Sequence, residues 1–257
     1  MRFGVGNAVV RVGLSGALAC SLVLAGCGGG EKEAPKEQTQ EAVTQDAGEG
    51  SAASDATDSS YGGEKKTSER LDKLVLVNKT HALPDGWEND LDLVKVQNSK
   101  GETVSIDRMA YEPFVEMQQY LESQGVTIEL NSGYRSIAEQ QRIVDEFTVE
   151  YGEDYVREFV AVPGYSEHHT GIAFDVFLTI DGYPILTNDE IFAAQDTWDI
   201  VHAALHKYGF ILRYMDGKED ITGYTYEPWH YRYVGVDAAT EIWEKGLTLE
   251  EYLGEVD

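Results

Sequence analysis

Ser166-Glu167-His168-His169-Thr170-Gly171-Ile172-Ala173-Phe174-Asp175-Val176-Phe177-Leu178 places a polar, histidine-bearing run directly before an apolar one. Ile172 to Leu178 reads as a strand, and Gly171 is where the chain can turn into it. Its one charged residue is Asp175. With a turn at Gly171 and Asp175 on the strand that follows, His168 and Asp175 can reach one ion.

Outward from this stretch, short strands and helices mix. Leu74 to Val77 reads as a short strand, and Val126 to Leu130 alternates like one. Between them, Asp107 to Ser123 carries Ala110, Phe114, Met117 and Leu121 on one helical stripe, ended by Gly125. Ser136 and Glu139 form a capping box that opens a helix through about Tyr151. Asp196 to Tyr208 reads as a helix ended by Gly209, and Phe210–Tyr214 and Trp229–Val234 as further strands. Thr248 to Glu251 opens a final short helix. No regular βαβ period and no internal repeat appear, so the expected class is α+β, one domain over residues 71–257.

The 257-residue chain has 46 acidic and 20 basic residues, a formal charge of −26. That balance argues against nucleic acid as a partner, since phosphate binding needs clustered Lys and Arg. Anionic lipid head groups would repel it too, so membrane attachment would need another cause. From Leu71 onward the count is 36 acidic against 13 basic residues. The two cysteines, Cys20 and Cys27, both fall near the N-terminus. The expected domain therefore has no disulfide and no thiolate-ligated metal.

Residues 1–26 read as an export signal: Arg2 and Arg11 precede an uncharged apolar run from Leu14 to Ala25. Leu24-Ala25-Gly26-Cys27 resembles a bacterial lipoprotein box, which implies lipid on Cys27 and an exported protein held to the membrane and facing the cell wall. An ordinary secretory signal or an uncleaved anchor is the alternative. Residues 27–70 are expected to be a polar, disordered tether, whose roughly 40 residues span on the order of 35 Å.

A second polar-aromatic cluster follows sixty residues after the first: Tyr226-Glu227-Pro228-Trp229-His230-Tyr231-Arg232-Tyr233. A catalytic zinc takes three ligands from His, Asp or Glu and leaves one position open. His168, Asp175 and His230 could supply them if neighbouring strands bring the clusters together. Glu227, three residues before His230, could then serve as a general base. Spacing alone does not separate this from hydrogen-bonded structural histidines. His202 and His206 are spaced for a helical metal pair, but no Glu follows His202, so they read as ordinary helix residues. His81 carries no signal, His169 could support a neighbouring ligand, and the aromatics from Tyr224 to Tyr233 alternate like a strand.

Ser-x-His-(x)6-Asp at 166–175, Glu-Pro-Trp-His at 227–230, and Ser132-Gly133-Tyr134-Arg135-Ser136 followed by Gln140 resemble, in order and spacing, motifs of the VanY-type D-alanyl-D-alanine carboxypeptidases. These belong to the lysostaphin/D-Ala-D-Ala peptidase/hedgehog group of metallopeptidases. The resemblance runs from about Leu74 to Gly235 and implies a small, mostly antiparallel sheet flanked by helices. It implies one zinc per chain on His168, Asp175 and His230, Glu227 as catalytic acid/base, and Arg135 on a substrate carbonyl or carboxylate. Gln140, Ser166, Tyr214 and Trp229 match positions lining the substrate pocket, and His169 stands where many relatives have Gln. The implied activity is removal of a C-terminal D-amino acid from peptidoglycan stem peptides; separately, a monomer is expected. L,D-carboxypeptidase, endopeptidase and non-catalytic wall-binding roles are the alternatives.

Overall fold

The computed structural model describes residues 71–256. The expected signal, Cys27 and tether lie outside the described residues. Elements run β1 (Leu93–Gln97), β2 (Thr103–Asp107), α1 (Arg108–Ser123), β3 (Thr127–Ser132), α2 (Ile137–Tyr151), α3 (Glu153–Phe159), β4 (Ala173–Ile180), β5 (Tyr183–Pro184), α4 (Asn188–Ala193), α5 (Gln195–Leu205), β6 (Phe210–Leu212), α6 (Glu219–Thr222), β7 (His230–Tyr233), α7 (Val236–Lys245) and α8 (Leu249–Leu253). The main sheet has order β3-β4-β7-β6, with β5 added to β4, and every pairing is antiparallel. β1 and β2 form a separate hairpin. Among the described residues, no helix is long and apolar enough to cross a membrane.

β4 is the central strand, and its period-2 alternation assigns its two faces. Phe174, Val176 and Leu178 enter the main core together with Phe114, Met117 and Leu121 of α1 and Trp198, Val201 and Leu205 of α5. Phe174 is fully buried and meets Phe114, Phe210 and Tyr231 edge-on, at ring-centroid distances of 5.2, 5.3 and 6.2 Å. Asp175 points to the other face. There Ile211, Val234, Ala239, Ile242 and Leu249 form a second, smaller core under α7 and α8.

Most elements follow the sequence pattern. The stripe on α1 is buried as expected, and Ser136 caps α2 by accepting the Glu139 N–H at 3.1 Å. Gly209, at φ 82°, ends the helical run after α5, whose last turn over His206–Tyr208 tightens to 3-10 geometry. Three expectations fail. Leu74–Val77 is not a strand. The Leu74 N–H turns back onto the Asp72 carboxylate at 2.9 Å, and the Lys73 and Val75 carbonyls accept from Arg232, so no ladder partner is available. The strand expected over Phe210–Tyr214 stops at Leu212, and Tyr224 and Tyr226 precede β7 rather than joining it. The reason for the last is a turn at Glu227–His230, closed by His230 N–H donating to the Glu227 carbonyl at 3.3 Å with Pro228 inside it.

Candidate active site

Register builds the site. Asp175 on β4 lies directly opposite His230 on β7, so their side chains share one face. On the other side, a register shift after Leu130 in β3 brings Ser132 opposite Asp175. Ser132, Asp175 and His230 thus stand in a row across three strands. His168 arrives from the 3-10 turn Glu167–Thr170, which ends at Gly171 in the left-handed region, φ 73°. That left-handed φ calls for glycine, and a Cβ there would also crowd the tip of Leu91 at 2.9 Å.

Among the described residues, one group of His, Cys, Asp or Glu donors could hold a metal: His168, Asp175 and His230, with donor atoms all within 4.8 Å of one another and all three residues buried. His168 Nδ1 lies 2.8 Å from the Gly133 carbonyl, to which it donates, while its Nε2 faces Asp175 Oδ2 at 3.4 Å. His230 Nδ1 faces Asp175 Oδ1 at 2.9 Å and Glu227 Oε2 at 3.8 Å. Two imidazoles, each steadied from behind, with one carboxylate fit a catalytic zinc, which takes three protein ligands. Calcium and magnesium prefer all-oxygen sets.

The electrostatics of the cluster follow from burial. Desolvation lifts the Glu227 carboxyl to about 7, against the pull of His230 and Arg135. Burial alone would keep His230 neutral, but its contacts with Asp175 and Glu167 raise it to about 9. Asp175 resists burial in the opposite sense, held well below the carboxylate range by the two histidines. Arg135 Nη1 donates to Gln140 Oε1 at 2.7 Å and Nη2 to Ser132 Oγ at 3.2 Å. Its charge acts on both Asp175 and Glu227. Gln140 is buried and its amide donates onward to the Ala161 carbonyl at 2.7 Å, so it steadies Arg135 from behind. Tyr214 lies against the His230 ring, centroids 4.8 Å apart, and Trp229 packs near Phe192. Ser166 is buried just ahead of the His168 turn.

Several supports are not visible in the motifs. His169 donates from Nδ1 to the Arg135 carbonyl at 2.6 Å and accepts the Gly164 N–H at 3.0 Å, tying the arginine's backbone to the next loop. His202, outside the donor cluster, donates to the Pro228 carbonyl at 2.9 Å, and Tyr231 donates to the same oxygen at 2.8 Å. Between them they fix the turn that carries Glu227. Glu167, Arg213, Arg232 and Glu250 form a buried ionic group behind His230. Its one trace in the sequence is charge at strand-end positions amid apolar neighbours, at Arg213 and Arg232.

Residues 103–236 match the VanY family, described as D-alanyl-D-alanine carboxypeptidase. A D-alanyl-D-alanine carboxypeptidase of Enterococcus faecalis is 37% identical over 189 residues, 70% of this chain and 65% of that relative, so the chain spans a little under two thirds of it. A vancomycin-resistance D,D-pentapeptidase VanY solved with Zn(II) superposes with a TM-score of 0.58 at 35% identity, over 71% of this chain and 99% of that one. The LD-carboxypeptidase LdcB superposes at 0.63 and 40% identity, over 72% and 87%. The three motifs, the register that joins them and these likenesses agree, and the chain belongs to the VanY D-alanyl-D-alanine carboxypeptidase family of zinc peptidases.

Proposed function

We propose that this chain removes a C-terminal D-alanine from peptidoglycan stem peptides by zinc-assisted hydrolysis. The observation that carries the reading is the convergence of His168, Asp175 and His230 with Glu227 beside them and Arg135 in electrostatic range. One zinc ion, when bound by His168, Asp175 and His230, supplies a Lewis acid for the scissile carbonyl and lowers the pKa of water to about 7. Glu227, lifted toward neutrality by burial, takes a proton from the attacking water and delivers one to the leaving amine as the C–N bond breaks. Arg135 keeps N–H donors on both terminal nitrogens for a substrate carbonyl or carboxylate, a geometry its planar fork matches. Gln140 and Ser132 hold that fork in place. Tyr214 walls the metal side against His230, with Ser166 at the entry to the His168 turn, while Trp229 packs into the main core. An intact Glu227 beside a complete donor set speaks against a wall-binding protein without activity.

A second reading is favoured by the likeness to LdcB: the chain acts on tetrapeptide stems as an L,D-carboxypeptidase. We place the domain outside the membrane as a monomer, held by lipid on Cys27. Support for that comes from the Leu24-Ala25-Gly26-Cys27 box and the acidic balance, which leaves lipid as the means of attachment. Incubation with defined penta- and tetrapeptide stems, followed by mass spectrometry, tests the reaction. Release of D-alanine from the pentapeptide, abolished by a chelator and restored by zinc, is expected. Release from the tetrapeptide alone would assign the L,D activity, and release from neither would overturn the proposal.

A further inference from the structure

His230 has a carboxylate at each ring nitrogen. Nδ1 faces Asp175 and Glu227 on the site side, while Nε2 faces Glu167 Oε2 at 3.5 Å on the far side. For Nδ1 to offer its lone pair to a metal, the ring proton must sit on Nε2, the nitrogen that Glu167 addresses. Glu167 is itself held. Its Oε1 accepts from Arg213 Nε at 2.8 Å and from Arg232 Nη1 at 2.9 Å. Arg213 then turns both terminal nitrogens onto Glu250 of α8, at 2.9 and 2.6 Å, a two-pronged ion pair. Asn78 donates to Glu250 Oε1 at 3.1 Å, and Arg232 Nη2 donates to the Lys73 and Val75 carbonyls at 2.9 and 2.7 Å. Both arginines are fully buried, and Glu167 and Glu250 nearly so.

The outer members of this group lie beyond the matched family residues, 103–236: Glu250 on one side, and Lys73, Val75 and Asn78 on the other. Two arginines and two glutamates balance in charge, so removing either carboxylate leaves a buried guanidinium short of a partner. Arg213 would then draw on Glu167 alone, and Glu167 is the group that addresses His230.

We propose that Glu167 is a positioning residue that sets the tautomer and angle of the metal ligand His230, and that Glu250 on the C-terminal helix holds it there through Arg213. The proposal rests on the zinc reading of the site and adds the C-terminal helix to it. The helix thereby takes part in metal binding without touching the metal.

The test is zinc affinity of the full chain, measured by competition with a chromophoric chelator, on variants shown to be folded by circular dichroism. Glu167→Gln is expected to weaken zinc binding about 10- to 100-fold, the usual effect of removing a carboxylate that orients a metal-bound histidine. Glu250→Gln, one link further out, should weaken it by a smaller factor, and Glu250→Asp, which keeps the charge, should recover part of that loss. Glu251→Gln serves as the control on the same helix, because Glu251 pairs with Lys218 and lies outside the group. Affinity unchanged in folded Glu167→Gln, while the original chain binds zinc, would overturn the positioning role, and affinity unchanged in folded Glu250→Gln would remove Glu250 from it. Should Glu250→Gln not fold, the Asp variant carries the comparison alone. If the original chain binds no zinc, the metal reading itself fails, a result distinct from the first.

Discussion

Substituting Glu227 by Ala separates metal binding from chemistry, because its carboxylate lies close to the donor cluster without belonging to it. Turnover is expected to fall by at least about 10²- to 10⁴-fold, the contribution of a positioned proton-transfer group, with zinc content unchanged. Rate assays paired with metal analysis on the same preparation check this, and loss of zinc alongside activity would reassign Glu227 as a ligand. The ligand and acid/base candidates were legible because their chemistry restricts residue type: few side chains bind zinc or move a proton near neutral pH. The residues behind them were not. Gln140 matches a pocket position, yet both ends of its amide serve the protein, one to Arg135 and one to the Ala161 carbonyl. His202 reads as an ordinary helix residue and is in fact a buried donor to the turn at Pro228. A hydrogen bond between residues 26 positions apart leaves no periodic trace.

At the scale of elements, β3 and the loop after it carry the tightest steric constraint. A Cβ on Gly133 would fall 2.1 Å from the Ser105 carbonyl oxygen and 2.8 Å from Val104 Cγ1, both on β2. The Gly133 carbonyl meanwhile accepts from His168. Gly133→Ala must push the hairpin and β3 apart, costing on the order of 1–3 kcal/mol. It should also weaken zinc binding by moving the oxygen that orients His168. Chemical denaturation and a zinc titration read the two effects, and a variant as stable as the original would refute the close approach. Helices with complete stripes and caps, such as α1, were readable along the chain. Leu74–Val77 misled because four apolar residues in a row satisfy a strand template equally well as a partly buried irregular segment. Nothing local shows that two of the carbonyls around that segment belong to Arg232, over 150 positions away.

For the whole molecule, stability should depend on pH through its buried imidazoles. Burial holds His202 neutral, below the ordinary histidine range. Unfolded His202 takes up a proton near pH 6.5, whereas the folded form resists it. The unfolded state thus binds more protons as pH falls, so this contribution is complete above about pH 6.5 and is lost progressively below it. The original chain should lose more stability between pH 7.5 and 5.5 than His202→Gln, which keeps a donor for the Pro228 carbonyl. Urea midpoints at the two pH values check this, and equal losses would remove His202 from the account. The α+β class was legible in the mixture of short elements. The buried ionic group was not, because two arginines and two glutamates look like surface charge in a chain with 46 acidic residues.

The pairing of Asp175 with His230 spans 55 positions of sequence yet depends on a strand alternation of two. Inserting one residue just beside either ligand would turn it to the opposite face of the sheet and dismantle the donor set. Inserting several in the exposed turn near Asp216 and Gly217 would leave that pairing untouched. Within the long excursion between the two strands, that exposed turn is therefore the part that can lengthen, shorten and diversify while the pairing beneath it stays fixed.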